Sequence, residues 1–285
     1  MKVGIGLPAS IPGVSGGVVV EWARRADGGA FSSLGIIDRV VYGNYDPLIT
    51  LAAAAAVTSR ARLLTGVLLA PLRNAGILAK QSATLDALSE GRLTLGFGVG
   101  GREDDFRAAP ASFHTRGRRF EEQLALMQRV WSGERVDDDT GPVGPAPVRA
   151  GGPEVLIGGG APAAIARVAR WGEGYIAGAG GPERANTTFR AAEEAWASGS
   201  RAGKPRLAAV LYFALGPEAG ERGTPAILSY YGERLGDRLA QGMPTSPEGV
   251  RATVRAFEEI GTDELVFLPT IPELDQVDRL AEALG

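Results

Sequence analysis

The feature that most constrains this chain is an alternation repeated eight times. Short runs rich in Val, Ile and Leu are each followed by a longer stretch with helical patterning, across 285 residues. The apolar runs read as strands at 3–7, 34–37, 63–69, 93–99, 155–157, 175–177, 207–215 and 265–268. The helical patterns fall at 18–26, 47–58, 77–88, 119–131, 163–171, 182–198, near 225–235 and 247–260, and at 276–284. Asp46-Pro47 reads as an N-cap followed by proline at the first helical position, and Gly91 as a helix stop. Residues 133–153 read as a turn-rich connection without an element. Continuous apolar runs suit strands buried on both faces, and strict strand–helix alternation points to a parallel sheet. Eight units close such a sheet, so the expected fold is α/β, a single (β/α)8 TIM-barrel domain over residues 1–285. The competing fold is an open doubly wound sheet. Its support is Gly96-Phe97-Gly98-Val99-Gly100-Gly101, which spells G-x-G-x-x-G after a strand. That match follows the fourth strand rather than the first, and Arg102-Glu103-Asp104-Asp105-Phe106 after it does not read as an apolar helix.

Composition removes several classes of chemistry. There is no cysteine, which excludes disulfides, thiolate zinc sites and iron–sulfur clusters. His114 is the one histidine, so multi-histidine metal sites and most Ser-His-Asp arrangements are disfavoured, and no metal site is expected. A net charge of −3 gives no reason to expect nucleic acid as a partner. The start, Met1-Lys2-Val3-Gly4-Ile5-Gly6-Leu7-Pro8, reads as a strand rather than a signal peptide, and no apolar stretch approaches a membrane span of about 20 residues. The expectation is a soluble, cytoplasmic protein.

In a barrel of this kind the loops after the strands' C-terminal ends form the active face. These ends carry Asp38-Arg39 after strand two, Gly98-Val99-Gly100-Gly101-Arg102 after strand four, Gly158-Gly159-Gly160 after strand five and Gly178-Ala179-Gly180-Gly181 after strand six. Glycine there lets backbone N–H groups approach a ligand, and Gly158-Gly159-Gly160-Ala161-Pro162 leads straight into a helix, as an anion site does. One such cluster would be read as a tight turn; three on one face point to a phosphate-bearing cofactor. Asp38 at the rim is either functional or paired with a neighbour such as Arg39. His114 reads as a loop or helix-entry residue, and Gly13-Val14-Ser15-Gly16-Gly17 spells G-x-S-x-G without a partner base. Arg116, Arg118 and Arg119 read as a solvated or ion-paired helix start. Trp22, Trp131, Trp171 and Trp196 read as packing residues on helices.

Three blocks carry a family resemblance. Residues 80–100, Lys80-Gln81-Ser82 through Gly98-Val99-Gly100, form the first. Arg116-Gly117-Arg118-Arg119-Phe120-Glu121-Glu122, running into Leu126 and Trp131, is the second. The third is Val155-Leu156-Ile157-Gly158-Gly159-Gly160-Ala161-Pro162-Ala163-Ala164, followed by Gly172-Glu173-Gly174-Tyr175. Together they resemble the bacterial luciferase-like family of flavin- and deazaflavin-dependent oxidoreductases, over most of residues 1–180 and more loosely from 182 onward.

The resemblance implies a barrel that binds reduced FMN, or alternatively the deazaflavin coenzyme (F-420 type), at its C-terminal face. It places Asp38 near the reactive edge of the ring, with Asp38 and Arg39 as the catalytic candidates. It sets Gly66-Val67 where the family often has a non-prolyl cis peptide against the ring. Gly100, Gly101 and Arg102 would flank the cofactor, Gly158, Gly159, Gly160 and Ala161 would hold its phosphate, and Gly178 would close the site. Two departures stand out. Many relatives have Asp-His after strand two where this chain has Asp38-Arg39, and an arginine is not deprotonated in proteins. It could hold a substrate anion or stabilise negative charge on a reduced ring. The stretch 133–153 is short and proline-rich where relatives often carry a longer insertion over the substrate. The activity implied is a two-component monooxygenase acting with O2 on a small organic molecule. A separate flavin reductase would supply the cofactor, and the assembly would be a homodimer. The alternatives are hydride transfer by the deazaflavin coenzyme and a non-catalytic barrel kept as a binding or accessory subunit.

Overall fold

The computed structural model describes all residues, 1–285. Eight parallel strands close into a barrel in sequence order: β1 (Lys2–Gly6), β2 (Ser33–Ile36), β3 (Arg62–Leu69), β4 (Leu93–Gly98), β5 (Glu154–Gly158), β6 (Gly174–Ala177), β7 (Arg206–Phe213) and β8 (Glu264–Pro269). Pairing of β1 with β8, from Lys2 opposite Glu264 to Ile5 opposite Phe267, completes the closure. The helices are α1 (Gly16–Gly28), α2 (Pro47–Ala55), α3 (Ala75–Leu88), α4 (Glu103–Ala108), α5 (Arg116–Trp131), α6 (Pro162–Trp171), α7 (Gly181–Ser198), α8 (Ala219–Tyr231), α9 (Glu233–Gln241), α10 (Pro247–Glu259) and α11 (Asp275–Leu284). None is long and apolar enough to cross a membrane.

Local chemistry explains several boundaries. Asp46 caps α2 by accepting from the amides of Leu48 (3.0 Å) and Ile49 (3.1 Å), with Pro47 at the first helical position. Asn74 caps α3 through Ile77, and Gly91 beyond its end has φ +82°. Ser15, in the stretch that spells a hydrolase motif, is the N-cap of α1 and accepts from the Val18 amide. Residues 103–108, which do not read as an apolar helix, form α4: three acids in its first turn complement the helix dipole, and Phe106 anchors it in the core. The helix expected near 225–235 is two helices, broken at Gly232 (φ +77°).

The apolar residues divide into two shells, as alternation on a closed sheet requires. One cluster of 52 buried residues packs strands against helices; another of 16 fills the barrel. The interior is asymmetric. β1 to β3 contribute glycines, while β7 and β8 contribute branched side chains. A Cβ at Gly35 would lie 2.6 Å from Val266 Cγ1, one at Gly66 2.9 Å from Val210 Cγ1, and one at Gly6 2.7 Å from Leu268 Cδ2. Small against large fills the lumen at native density. At the N-terminal end, the first residues of four strands form a charge network. Arg206 bonds Glu154 and Glu264, and Arg62 bonds Glu154 (3.1 Å) and Thr94.

Candidate active site

The C-terminal ends of the strands surround a cavity of about 320 Å³. Its wall includes Asp38 and Arg39 after β2, Gly66 and Val67 in β3, Gly100, Gly101 and Arg102 after β4, Gly158, Gly159 and Gly160 after β5, and Gly178 after β6. The structure thus brings eleven of the twelve residues read from the sequence to one cavity. Ala161 is the exception: it is the exposed N-cap of α6, outside the wall. The Gly66–Val67 peptide is cis.

The glycines are there for different reasons. Gly158 is demanded by packing, because a Cβ would lie 2.9 Å from Val67 Cγ1; Gly159 is demanded by its φ of +112°. Gly101 and Gly178 are demanded by neither, since an added Cβ at each would meet no protein atom within 4 Å. Their bareness leaves room at the cavity wall. Beside them the amides of Gly160, Ala161 and Ala163 donate to no protein acceptor, at the N-terminus of α6, where the dipole favours an anion. Arg184 and Thr188 of α7 reach the same end of the cavity, and Arg184 has no carboxylate partner. These features form a cradle suited to a phosphate.

Asp38 has other partners than the sequence suggests. Its carboxylate accepts from Arg73 Nη1 (2.6 Å) and Nη2 (3.2 Å) and from the Leu69 amide (2.8 Å). The pairing with Arg39 considered from sequence is therefore corrected to Arg73, four residues past the end of β3. The Asp38 side chain is 1% exposed and that of Arg73 16%. Burial works against the Arg73 charge, but Asp38 and then Asp46 more than offset it and raise its pKa. With three donors on its carboxylate, Asp38 holds the loop after β2 to the end of β3, beside Gly66–Val67. The Arg73 carbonyl in turn accepts from Gln123 of α5 (2.7 Å).

Arg39 is anchored differently. Its Nη1 donates to the Tyr230 carbonyl (2.7 Å), and its guanidinium lies 5.1 Å from the Tyr42 ring centroid and 5.6 Å from that of Tyr230. The Tyr230 hydroxyl donates back to the Asp38 carbonyl (2.9 Å). The loop after β2 is further pinned by Asp105, which accepts from the amides of Val40 and Val41. On the far side Tyr230, Tyr231, Leu235 and Leu239, from the end of α8 and from α9, complete the wall. Tyr212 donates to the Tyr231 hydroxyl, and burial pushes the pKa values of Tyr212, Tyr230 and Tyr231 upward, so all three stay protonated.

Arg73, Asp105, Arg184, Thr188, Tyr230 and Tyr231 escaped the sequence reading. The tyrosines stand at the end of α8, between β7 and β8, where the adjacent aromatic pair is the one signal in the sequence. The other candidates settle into structural places. Arg116 bonds the Gly100 and Phe113 carbonyls, Arg118 is exposed beside Glu122, and Arg119 reaches the Arg73 carbonyl. His114 is exposed. Trp22, Trp131 and Trp196 are buried and Trp171 is half-buried.

Comparison with known proteins agrees with this architecture. The crystal structure of monooxygenase RslO1 from Streptomyces bottropensis superposes with a TM-score of 0.82 at 24% identity, over 100% of this chain and 98% of that one. The oxygenating constituent of 3,6-diketocamphane monooxygenase from Pseudomonas putida, solved in complex with FMN, gives 0.76 at 18% identity over 100% and 96%. An F420-dependent glucose-6-phosphate dehydrogenase of Beutenbergia cavernae is 43% identical over 95 residues, 31% of this chain and 27% of that protein. The first curated relatives, mycobacterial proteins, are matched over 61–66% of their length, under two thirds. The family model for luciferase-like monooxygenases matches residues 1–266. With its closed barrel and a cavity at the strands' C-terminal ends, the chain belongs to the luciferase-like monooxygenase family.

Proposed function

We propose that this protein is an oxidoreductase that binds reduced FMN in the C-terminal cavity and uses O2 to oxygenate a small organic substrate. The observation that carries the reading is the cradle at one end of the cavity: unengaged amides at the start of α6, the unpaired Arg184, and the bare wall at Gly178. These residues fit a phosphate-bearing cofactor. When bound, reduced FMN supplies the electrons that activate oxygen; the protein supplies binding, orientation and exclusion of water.

The chain's own groups divide this work. Gly160, Ala161, Ala163 and Arg184 hold the phosphate. Gly66 and Val67 support the ring, with Gly100 and Gly101 beside it. Asp38 acts as a positioning residue, keeping the ends of β2 and β3 in register through Arg73 and Leu69. Arg39 stands where many relatives have histidine and cannot deliver or accept a proton at working pH, so its contribution is a fixed positive charge at the cavity wall. Tyr230, Tyr231, Leu235 and Leu239 cover the site against water. In this reading the reduced cofactor comes from a separate reductase, the assembly is a homodimer and the compartment is the cytoplasm.

A second reading, hydride transfer by a deazaflavin coenzyme, is favoured by the 43% identity to the F420-dependent dehydrogenase over 95 residues. Anaerobic titration with reduced FMN and, separately, with the reduced deazaflavin coenzyme decides between them. Tighter binding of FMN, followed by substrate-dependent oxygen consumption, is the expected result. Preference for the deazaflavin overturns the first reading for the second, and binding of neither overturns both in favour of an accessory barrel.

A further inference from the structure

The same cavity holds a second unmatched cation. Arg102 is carried by the loop after β4, yet its guanidinium reaches the end of α8, 5.0 Å from the Tyr230 ring centroid and 5.6 Å from that of Tyr231. It has no carboxylate within 4.0 Å and no hydrogen bond to the protein, although it is half-buried in the cavity wall. The nearby acids are engaged elsewhere: Asp38 on Arg73, Asp105 on the amides of Val40 and Val41, and Asp104 on Arg39 (3.5 Å). A half-buried guanidinium without a partner calls for an anion from outside.

The surroundings say what kind. The Tyr230 and Tyr231 rings meet at 4.7 Å and 61°, and Tyr42 packs edge-on against Tyr230 at 5.1 Å. Leu235 and Leu239 extend this wall as an apolar surface. The Tyr231 hydroxyl accepts from Tyr212, which leaves its own proton free to donate. The phosphate cradle lies on β5, β6 and α7, whereas Arg102 is turned toward the β2 and β7 side, so the two cations serve different groups.

We propose that Arg102 and the Tyr230–Tyr231 wall form the substrate subsite, and that the substrate is a flat unsaturated ring bearing an anionic oxygen, a carboxylate or an acidic phenol or enol. The oxygen pairs with Arg102 and takes the Tyr231 proton as a hydrogen bond, while the ring lies against the tyrosines and leucines. This rests on the cavity being the active site of the oxidoreductase proposed above. It deepens that reading by giving the substrate class and by assigning Arg102 to the substrate rather than to the cofactor.

The test is calorimetric titration of the full chain with 1-naphthoate and its uncharged counterpart 1-naphthamide, alone and after anaerobic saturation with reduced FMN; 2-hydroxy-1,4-naphthoquinone, titrated only without cofactor because it would oxidise reduced FMN, tests the acidic enol. The acid is expected to bind about tenfold or more tighter than the amide, as one charge-assisted pair provides. In Arg102→Leu the ratio falls to near one, Arg102→Lys retains a preference, and Arg184→Leu leaves the ratio unchanged. Arg102→Gln serves where the leucine variant does not fold. A ratio near one in the unaltered protein overturns the proposal. So does a preference that survives in Arg102→Leu, or one lost in Arg184→Leu. Failure to bind FMN strikes the cofactor reading alone, because the acid-to-amide ratio is also read without cofactor.

Discussion

Replacing Asp38 by asparagine separates positioning from chemistry. The carboxylate is 1% exposed and pairs with both terminal nitrogens of Arg73, at 2.6 and 3.2 Å, while accepting the Leu69 amide at 2.8 Å. Asparagine keeps an acceptor for Leu69 and loses the charge. Arg73 is left with Asp46 at 3.1 Å, whose side chain is 42% exposed and so a weak substitute. Removing one partner of a buried pair costs about 3–5 kcal/mol, and the retained hydrogen bond puts Asp38→Asn at the lower end, about 3 kcal/mol. Arg73→Met exposes the same weakness from the other side and falls in the same range of about 3–5 kcal/mol. Because both variants break one interaction, the double variant is expected to lose less than the sum, with a coupling of about 2–3 kcal/mol. Urea unfolding reads this as shifts of the midpoint at constant slope. Turnover should fall to a similar extent in both single variants, because each releases the same junction between β2 and β3. An unchanged midpoint with turnover lost in Asp38→Asn alone would refute the reasoning and return Asp38 to the reacting atoms.

Three further outcomes are expected. Gly178→Val weakens cofactor binding with little change in melting temperature, since a Cβ there meets nothing and φ is ordinary; Gly159→Val weakens both, because of its φ of +112° and an Ala164 Cβ at 3.1 Å. Equal melting temperatures for the two would contradict the distinction between them. Tyr212, Tyr230 and Tyr231 are held protonated by burial, so above pH about 10 the unfolded chain sheds protons the folded one keeps. Their contribution is complete below that pH and decreases as pH rises, by about 1.4 kcal/mol per unit for each tyrosine until its folded pKa is reached. Melting curves from pH 9 to 11.5 should therefore fall less steeply for Tyr231→Phe than for the unaltered protein. Finally, Gly35→Ala should cost about 1–3 kcal/mol through its collision with Val266, and Val266→Ala in the same chain should restore part of it. No rescue would mean that the lumen is not filled by that small–large pairing.

Much of the cavity wall is legible in the sequence. Glycines after strands four, five and six, Asp38-Arg39 after strand two and Gly66-Val67 within strand three all line one cavity, because a closed parallel barrel brings its strand ends together whatever lies between them. What escaped had weak local signals. Arg73 is one arginine among many until the fold sets it on Asp38. Tyr230 and Tyr231 stand in the three-helix stretch between β7 and β8, where Gly232 interrupts the helical pattern and the resemblance is loose. Nothing in the sequence distinguishes Asp105 from the acids beside it, yet Asp105 is buried and accepts from two amides of another loop.

The sequence by itself determined the eightfold alternation, and with it the closed barrel, the buried strands and the end at which chemistry gathers. These follow from periodicity and chain connectivity, which are local properties. Only the tertiary structure decided that Asp38 pairs with Arg73 and not with Arg39, that Ser15 is a cap, and that Arg102 stands unpaired against two tyrosines from the other side of the barrel. A charge's role depends on which opposite charge reaches it within about 4 Å and how much water remains between them. Residues 35 or 128 positions apart, as Asp38 from Arg73 and Arg102 from Tyr230, meet only when the barrel closes.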